Sequence, residues 1–144
     1  MKAVLDTSAI VKHYALEPGH DQLEQALELI ETPVISRLCA IELVATFYRL
    51  VRTRRLTEAT CQDLIAVFDG DCQNVFDVYP LTDALTLSTL ETVRRAQTLP
   101  LRAADAIHIQ TALDAGADRF VTGDRQQAAA ADALGLTVTR LGDG

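Results

Sequence analysis

No stretch of this chain carries the Pro, Gly or Ser enrichment of a linker, and no internal repeat is present; the alanine run 128–131 sits inside a helical pattern. The apolar runs fall well short of the roughly 20 residues that a membrane-spanning helix needs. Asp6 interrupts the first of them, with Lys2 as the only early positive charge, so no secretory leader is expected. Cysteine is scarce: Cys39, Cys61 and Cys72 are odd in number and match no metal-ligand spacing. They read as reduced thiols of a cytoplasmic protein. Basic residues are also few, 13 against 20 acids, for a net charge of −7. That sign disfavours a general nucleic-acid binder, whose field is normally positive. It suits ordinary solubility, a basic partner or a site that gathers cations.

What is present is enough for one packed domain. The 144 residues are 49% apolar, sufficient for a core and too apolar for disorder. Strand-like segments are Ala3–Leu5, Val34–Ser36, Val75–Tyr79, Arg119–Thr122 and Thr137–Leu141, with helical patterns in the intervals. Asp21 with Glu24 resembles a capping box opening a helix through about Ile30. Thr57 begins a helix with Leu64, Ile65 and Phe68 on one side, and Thr82 caps another carrying Leu85, Leu87 and Leu90. Gly116 and Gly135 stand where helices stop, each just before a strand. Strands alternating with helices imply a parallel sheet covered on both faces. The expected fold class is α/β: a three-layer α/β/α arrangement, single-domain over residues 1–144, with a short, mainly parallel five-stranded sheet.

Four acids stand where such a sheet would bring them together. Asp6 ends the first strand and is followed at once by Thr7 and Ser8. It reads as an N-cap for free backbone N–H groups, and equally as a ligand at the carboxyl edge of a strand, where open parallel sheets bind. Glu42 is the only acid between Glu31 and Glu58, inside an almost wholly apolar helix. Either it forms a solvated stripe with Thr46, Arg49 and Thr53, or it is a costly charge that needs a partner or a metal. Asp105, the only acid between Glu91 and Asp114, falls near a helix start, where the dipole favours negative charge. Asp124 follows Arg119–Thr122 and a tight turn, with Gln127 in capping-box position. Converging acids repel and raise one another's pKa unless a cation neutralises them. Oxygen donors without His or Cys suit a hard ion, Mg2+ or Mn2+.

The ordered set Asp6-x-Ser8, Glu42, Asp105 in Ala-Asp-Ala-Ile-His, and Thr122-x-Asp124 resembles the PIN-domain family, most closely its VapC-like toxins, over essentially the whole chain. The resemblance implies a metal-dependent endoribonuclease, with Asp6, Glu42, Asp105 and Asp124 as the catalytic, metal-holding quartet. Ser8 and Thr122 match the hydroxyl positions beside it, suited to orienting carboxylates or water. Mg2+ or Mn2+ as cofactor, RNA as substrate, a small cognate antitoxin in a VapBC-type pair and a homodimer are implied with it. The chemistry that the resemblance implies is phosphodiester hydrolysis by a metal-activated water, without a covalent intermediate.

Two other readings compete. A non-catalytic PIN-like module binding RNA or a protein has the complete quartet against it. A phosphatase or phosphotransferase of haloacid-dehalogenase type would use Asp6 as nucleophile, but needs a second Asp where this chain has Ser8. Arg102, close to Asp105, is the favoured phosphate contact. Arg49, Arg52, Arg54 and Arg55 either meet RNA or are solvated cations at a helix C-terminus. His108, one turn after Asp105, is either near the site or a satisfied structural histidine, the plainer reading; His13 and His20 carry no pattern. Ile41, Val44, Phe47, Tyr48 and Val51 either pack within the monomer or supply a dimer seam.

Overall fold

The computed structural model describes residues 1–142. Strands β1 (Lys2–Leu5), β2 (Thr32–Ser36), β3 (Asp77–Tyr79), β4 (Arg119–Thr122) and β5 (Val138–Arg140) form one sheet. Its order is β3-β2-β1-β4-β5, and every neighbouring pair is parallel. Helix pairs fill the first three crossings: α1 (Thr7–Ala15) and α2 (His20–Glu28), α3 (Arg37–Arg52) and α4 (Glu58–Asn74), α5 (Asp83–Arg95) and α6 (Ala103–Asp114). Helix α7 (Arg125–Ala133) alone joins β4 to β5. The expected α/β class and parallel sheet are what the chain adopts. From β1 the strands step outward to β3, then return to β4 on the other side of β1. That reversal makes the carboxyl ends of β1 and β4 the topological switch point, where open parallel sheets leave a binding crevice.

Side-chain alternation along the strands divides the core between the two faces. Ala3, Leu5, Ile35 and Val121 pack with Ile10, Leu23, Leu43, Phe47 and Phe68. Val4, Val34 and Phe120 pack with Ile109 of α6 and with Ala130 and Ala131 of α7. Helix α6 also buries polar side chains, among them Asp105, His108, Gln110 and Thr111.

Several elements differ locally from the sequence expectation. Helix α2 begins at His20 behind Gly19, with no side-chain cap, so the capping box of Asp21 and Glu24 does not form. Gly19 has φ 96°, and a Cβ there would stand 2.7 Å from the Gly142 carbonyl oxygen; a glycine is required, and it sets the helix start. Glu24 turns to His13 Nδ1 instead, 2.5 Å away, and α2 ends at Glu28, short of Ile30. Strand β3 starts at Asp77 rather than Val75, because α4 runs to Asn74 and Val75 closes it through its N–H to Asp71. Strand β5 is likewise shorter at both ends than Thr137–Leu141. Of the three leucines expected on one side of α5, only Leu85 is buried; Leu87 and Leu90 are exposed. On α3, Phe47 is fully buried, Val44 and Val51 are half-buried against the core, and Ile41 and Tyr48 face outward. Cys39, Cys61 and Cys72 are free thiols. Among the described residues, no helix is long and apolar enough to cross a membrane.

Phe47 meets Tyr14 edge-on at a centroid distance of 6.1 Å. Phe47→Ala is expected to lower the unfolding free energy by about 3–5 kcal/mol, read from the urea midpoint. A loss below about 1 kcal/mol would show that this face of the core does not rest on α3.

Candidate active site

Asp6 closes β1 and caps α1, accepting the Ala9 N–H at 2.9 Å through Oδ1. Ser8 Oγ donates to the same oxygen at 2.7 Å, and Thr122 Oγ1 donates to Oδ2 at 2.5 Å. With its amide nitrogen facing acceptors, Gln127 also reaches Oδ2 at 2.5 Å and Asp105 Oδ1 at 3.3 Å. Each hydroxyl then accepts a backbone N–H from the following turn: Ser8 from Gly123 at 2.9 Å, Thr122 from Asp124 at 3.0 Å. Asp124 in turn caps α7 by accepting the Gln127 N–H at 3.0 Å. Asp6 and Asp124 are thus N-caps as well as members of one network. The capping-box return from Gln127 to Asp124 is absent, because the Gln127 side chain turns inward to Asp6 and Asp105.

Glu42 lies one and a half turns into α3 and is one-third exposed. Its Oε1 accepts from Thr7 Oγ1 at 2.7 Å and from His108 Nε2 at 2.6 Å. A carboxylate only accepts, so Nε2 carries the proton. His108 Nδ1 is buried with no partner among the described residues. Asp105, in the first turn of α6, pairs with Arg102 Nε at 2.9 Å, and Arg102 Nη2 reaches Asp124 Oδ2 at 2.9 Å. All four acids line one cavity of about 160 Å³ at the carboxyl edge of the sheet, together with Thr7, Ser8, Arg102, His108 and Gln127. Arg49, Arg52, Arg54 and Arg55 do not line it and are exposed.

Residues 3–133 match the PIN domain family. The chain belongs to that family. Among curated protein sequences, none matches. Among solved structures, the chain is similar to the sarcin–ricin-loop-cleaving toxin VapC20 of Mycobacterium tuberculosis: TM-score 0.73, 17% identity, covering 96% of this chain and 99% of that one. It is also similar to VapBC2 of Rickettsia felis bound to a promoter DNA fragment, at TM-score 0.72 and 17% identity, covering 98% and 99% of the two chains. A third is FitAcB of Neisseria gonorrhoeae, at TM-score 0.65 and 19% identity, covering 96% of each. At these identities the likeness is one of fold.

Within this PIN domain, the donor chemistry fits a hard divalent cation: carboxylates with neighbouring hydroxyls, and no thiol in the cavity. As they stand, though, no three His, Cys, Asp or Glu side chains among the described residues are arranged to hold a metal. Arg102 occupies the space between Asp105 and Asp124 instead. Thr7, His108 and Gln127 are the neighbours that sequence reasoning passed over or placed elsewhere. The signals were there: Thr7 directly follows Asp6, and His108 is three residues after Asp105, on the same side of the helix.

The two best-held acids are shifted in opposite directions. Burial pushes the Asp6 carboxyl above its ordinary value; bonds from Thr122, Ser8 and the Ala9 N–H, with the His108 charge, oppose this without cancelling it. Burial would also raise Glu42, but His108 and Thr7 hydrogen bonds and the His108 and Arg102 charges outweigh it and hold the group low. Buried Cys39 is raised and stays a thiol, which removes it as a nucleophile. An acid raised on folding stabilises at low pH, and that contribution is lost as pH climbs past its ordinary value of 3.8 toward the raised one. Asp6→Asn is therefore expected to raise Tm in EDTA at pH 7, with the gain shrinking toward pH 4. A variant no more stable than the parent at pH 7 would show that the donors fully compensate the burial.

Proposed function

We propose that residues 1–144 form a single nuclease domain, a Mg2+- or Mn2+-dependent endoribonuclease that acts in the cytoplasm as the toxin of a VapBC-type pair. The observation that carries this reading is the meeting of Asp6, Glu42, Asp105 and Asp124 in one cavity at the switch point of a PIN domain. Known toxins of the same fold support the biological role, and the VapBC2 and FitAcB structures support a small antitoxin as partner.

In this reading Asp6 and Asp105 hold the cation directly, with Glu42 and Asp124 completing the set directly or through water. A divalent cation so held supplies an activated water and neutralises charge on the scissile phosphate and leaving oxygen. Ser8, Thr122 and Gln127 keep the Asp6 carboxylate in one orientation. Thr7 and His108 both donate to Oε1 of Glu42, so that neither of these two bonds takes up Oε2. Arg102, two-thirds exposed at the mouth of the cavity, presents a planar fork that suits a phosphate.

The homodimer is assigned to the outward face of α3, where Ile41 and Tyr48 stand one heptad apart and are 58% and 44% exposed. Tyr48→Arg is expected to convert the dimer to monomer in light scattering; a parent chain already monomeric at high concentration would overturn that assignment. For the activity, RNA cleavage in Mg2+ or Mn2+ is expected to vanish in excess EDTA. Asp6→Asn should lower it by about 100-fold or more, the upper range for damage to a metal site's supporting shell. Cleavage that persists in EDTA would sink the metal mechanism. An inactive parent that still binds a partner would favour the non-catalytic module.

A further inference from the structure

We propose that Arg102 is the built-in counter-cation of this site, bridging Asp105 and Asp124 in the metal-free protein and releasing both when a divalent cation enters. The inference rests on the metal-site reading above and adds a competition to it. Two different nitrogens of one guanidinium engage two carboxylates from separate elements, the first turn of α6 and the turn before α7, each at 2.9 Å. These are the contacts that hold it among the described residues. The side chain is 66% exposed, whereas Asp105 is 10% and Asp124 28% exposed, so Arg102 closes over the pair from the solvent side.

Its position in the chain leaves Arg102 free to move. It is the N-cap residue of α6, but its side chain makes no capping bond, so the helix start loses nothing when the guanidinium swings away. Arg102 is also the only Lys or Arg lining the cavity among the described residues. With the quartet ionised, the carboxylates outnumber the cations beside them, and a buried acid such as Asp6 keeps its charge at a cost. Two salt bridges relieve part of that repulsion and draw Asp105 and Asp124 onto the arginine rather than toward Asp6 and Glu42. This accounts for a cavity lined by four acids in which no three form a ligand set. A divalent cation carries more charge at the same place and competes directly for those oxygens. The freed fork is then left at the cavity mouth, where bidentate pairing to a phosphodiester replaces its pairing to carboxylates. Exchange between the two partners makes Arg102 a positioning residue that couples metal entry to substrate capture.

The test is Mn2+ binding to the whole protein without RNA, followed by calorimetry and by loss of the free-Mn2+ electron paramagnetic resonance signal. Arg102→Met keeps the stem and removes the competitor, and is expected to bind Mn2+ about fivefold tighter, the scale of two partly exposed ion pairs. Arg102→Lys, a point charge that cannot span both acids, should fall between the two. In EDTA, Arg102→Met should melt no more than about 4 °C below the parent, the loss expected of two partly exposed ion pairs. Equal or weaker binding by Arg102→Met overturns the clamp and leaves the metal site standing. No Mn2+ binding by any of the three proteins overturns the metal-site reading itself, and the clamp with it.

Discussion

The Asp6 carboxylate has almost no exposed surface, and its donors come from three parts of the sheet's carboxyl edge: Ser8 and the Ala9 N–H of α1, Thr122 at the end of β4, and Gln127 of α7. A buried charge is tolerated only when its oxygens are bonded. The network that satisfies this one also ties β1 to β4 at the switch point and fixes the turn that presents Asp124. Ser8 and Thr122 each donate to Asp6 while accepting from that turn. Removing either hydroxyl would therefore loosen two acids together.

Around this anchor, the site keeps its negative charge by unequal means. Burial raises the Asp6 carboxyl in spite of its neutral donors and the His108 charge, whereas Glu42 is held low by His108, Thr7 and Arg102. Asp105 and Asp124 share the guanidinium of Arg102. The negative field of the four acids is thus partly balanced by the side chains around them. An overall charge of −7 disfavours broad nucleic-acid binding across the surface.

Much of the fold was legible from sequence because short apolar strands and capped helices alternate with little ambiguity. Thr57 and Thr82 both cap the helices expected of them, and Gly116 and Gly135 adopt positive φ just past the ends of α6 and α7. The failures came where a distant segment intervened. Asp21 and Glu24 have capping-box spacing, yet the passage of Gly142 beside Gly19 sets the start of α2. Leu87 and Leu90 are apolar but exposed, since helix periodicity does not reveal which face meets a neighbour.

The sequence by itself determined the parallel α/β architecture and the identity of the four acids, because strand edges, helix caps and isolated carboxylates are local features. Only the tertiary structure decided what those acids touch. His108 reaches Glu42 across 66 positions, and Thr122 reaches Asp6 across 116. Gln127 leaves its expected capping role because an inward-facing amide finds a buried carboxylate to satisfy. Asp6 is a helix cap in the local pattern and a buried, bridged carboxyl group in the folded chain. The reason is physical: a cap needs one neighbouring N–H, whereas a charge without water needs donors that only folding assembles.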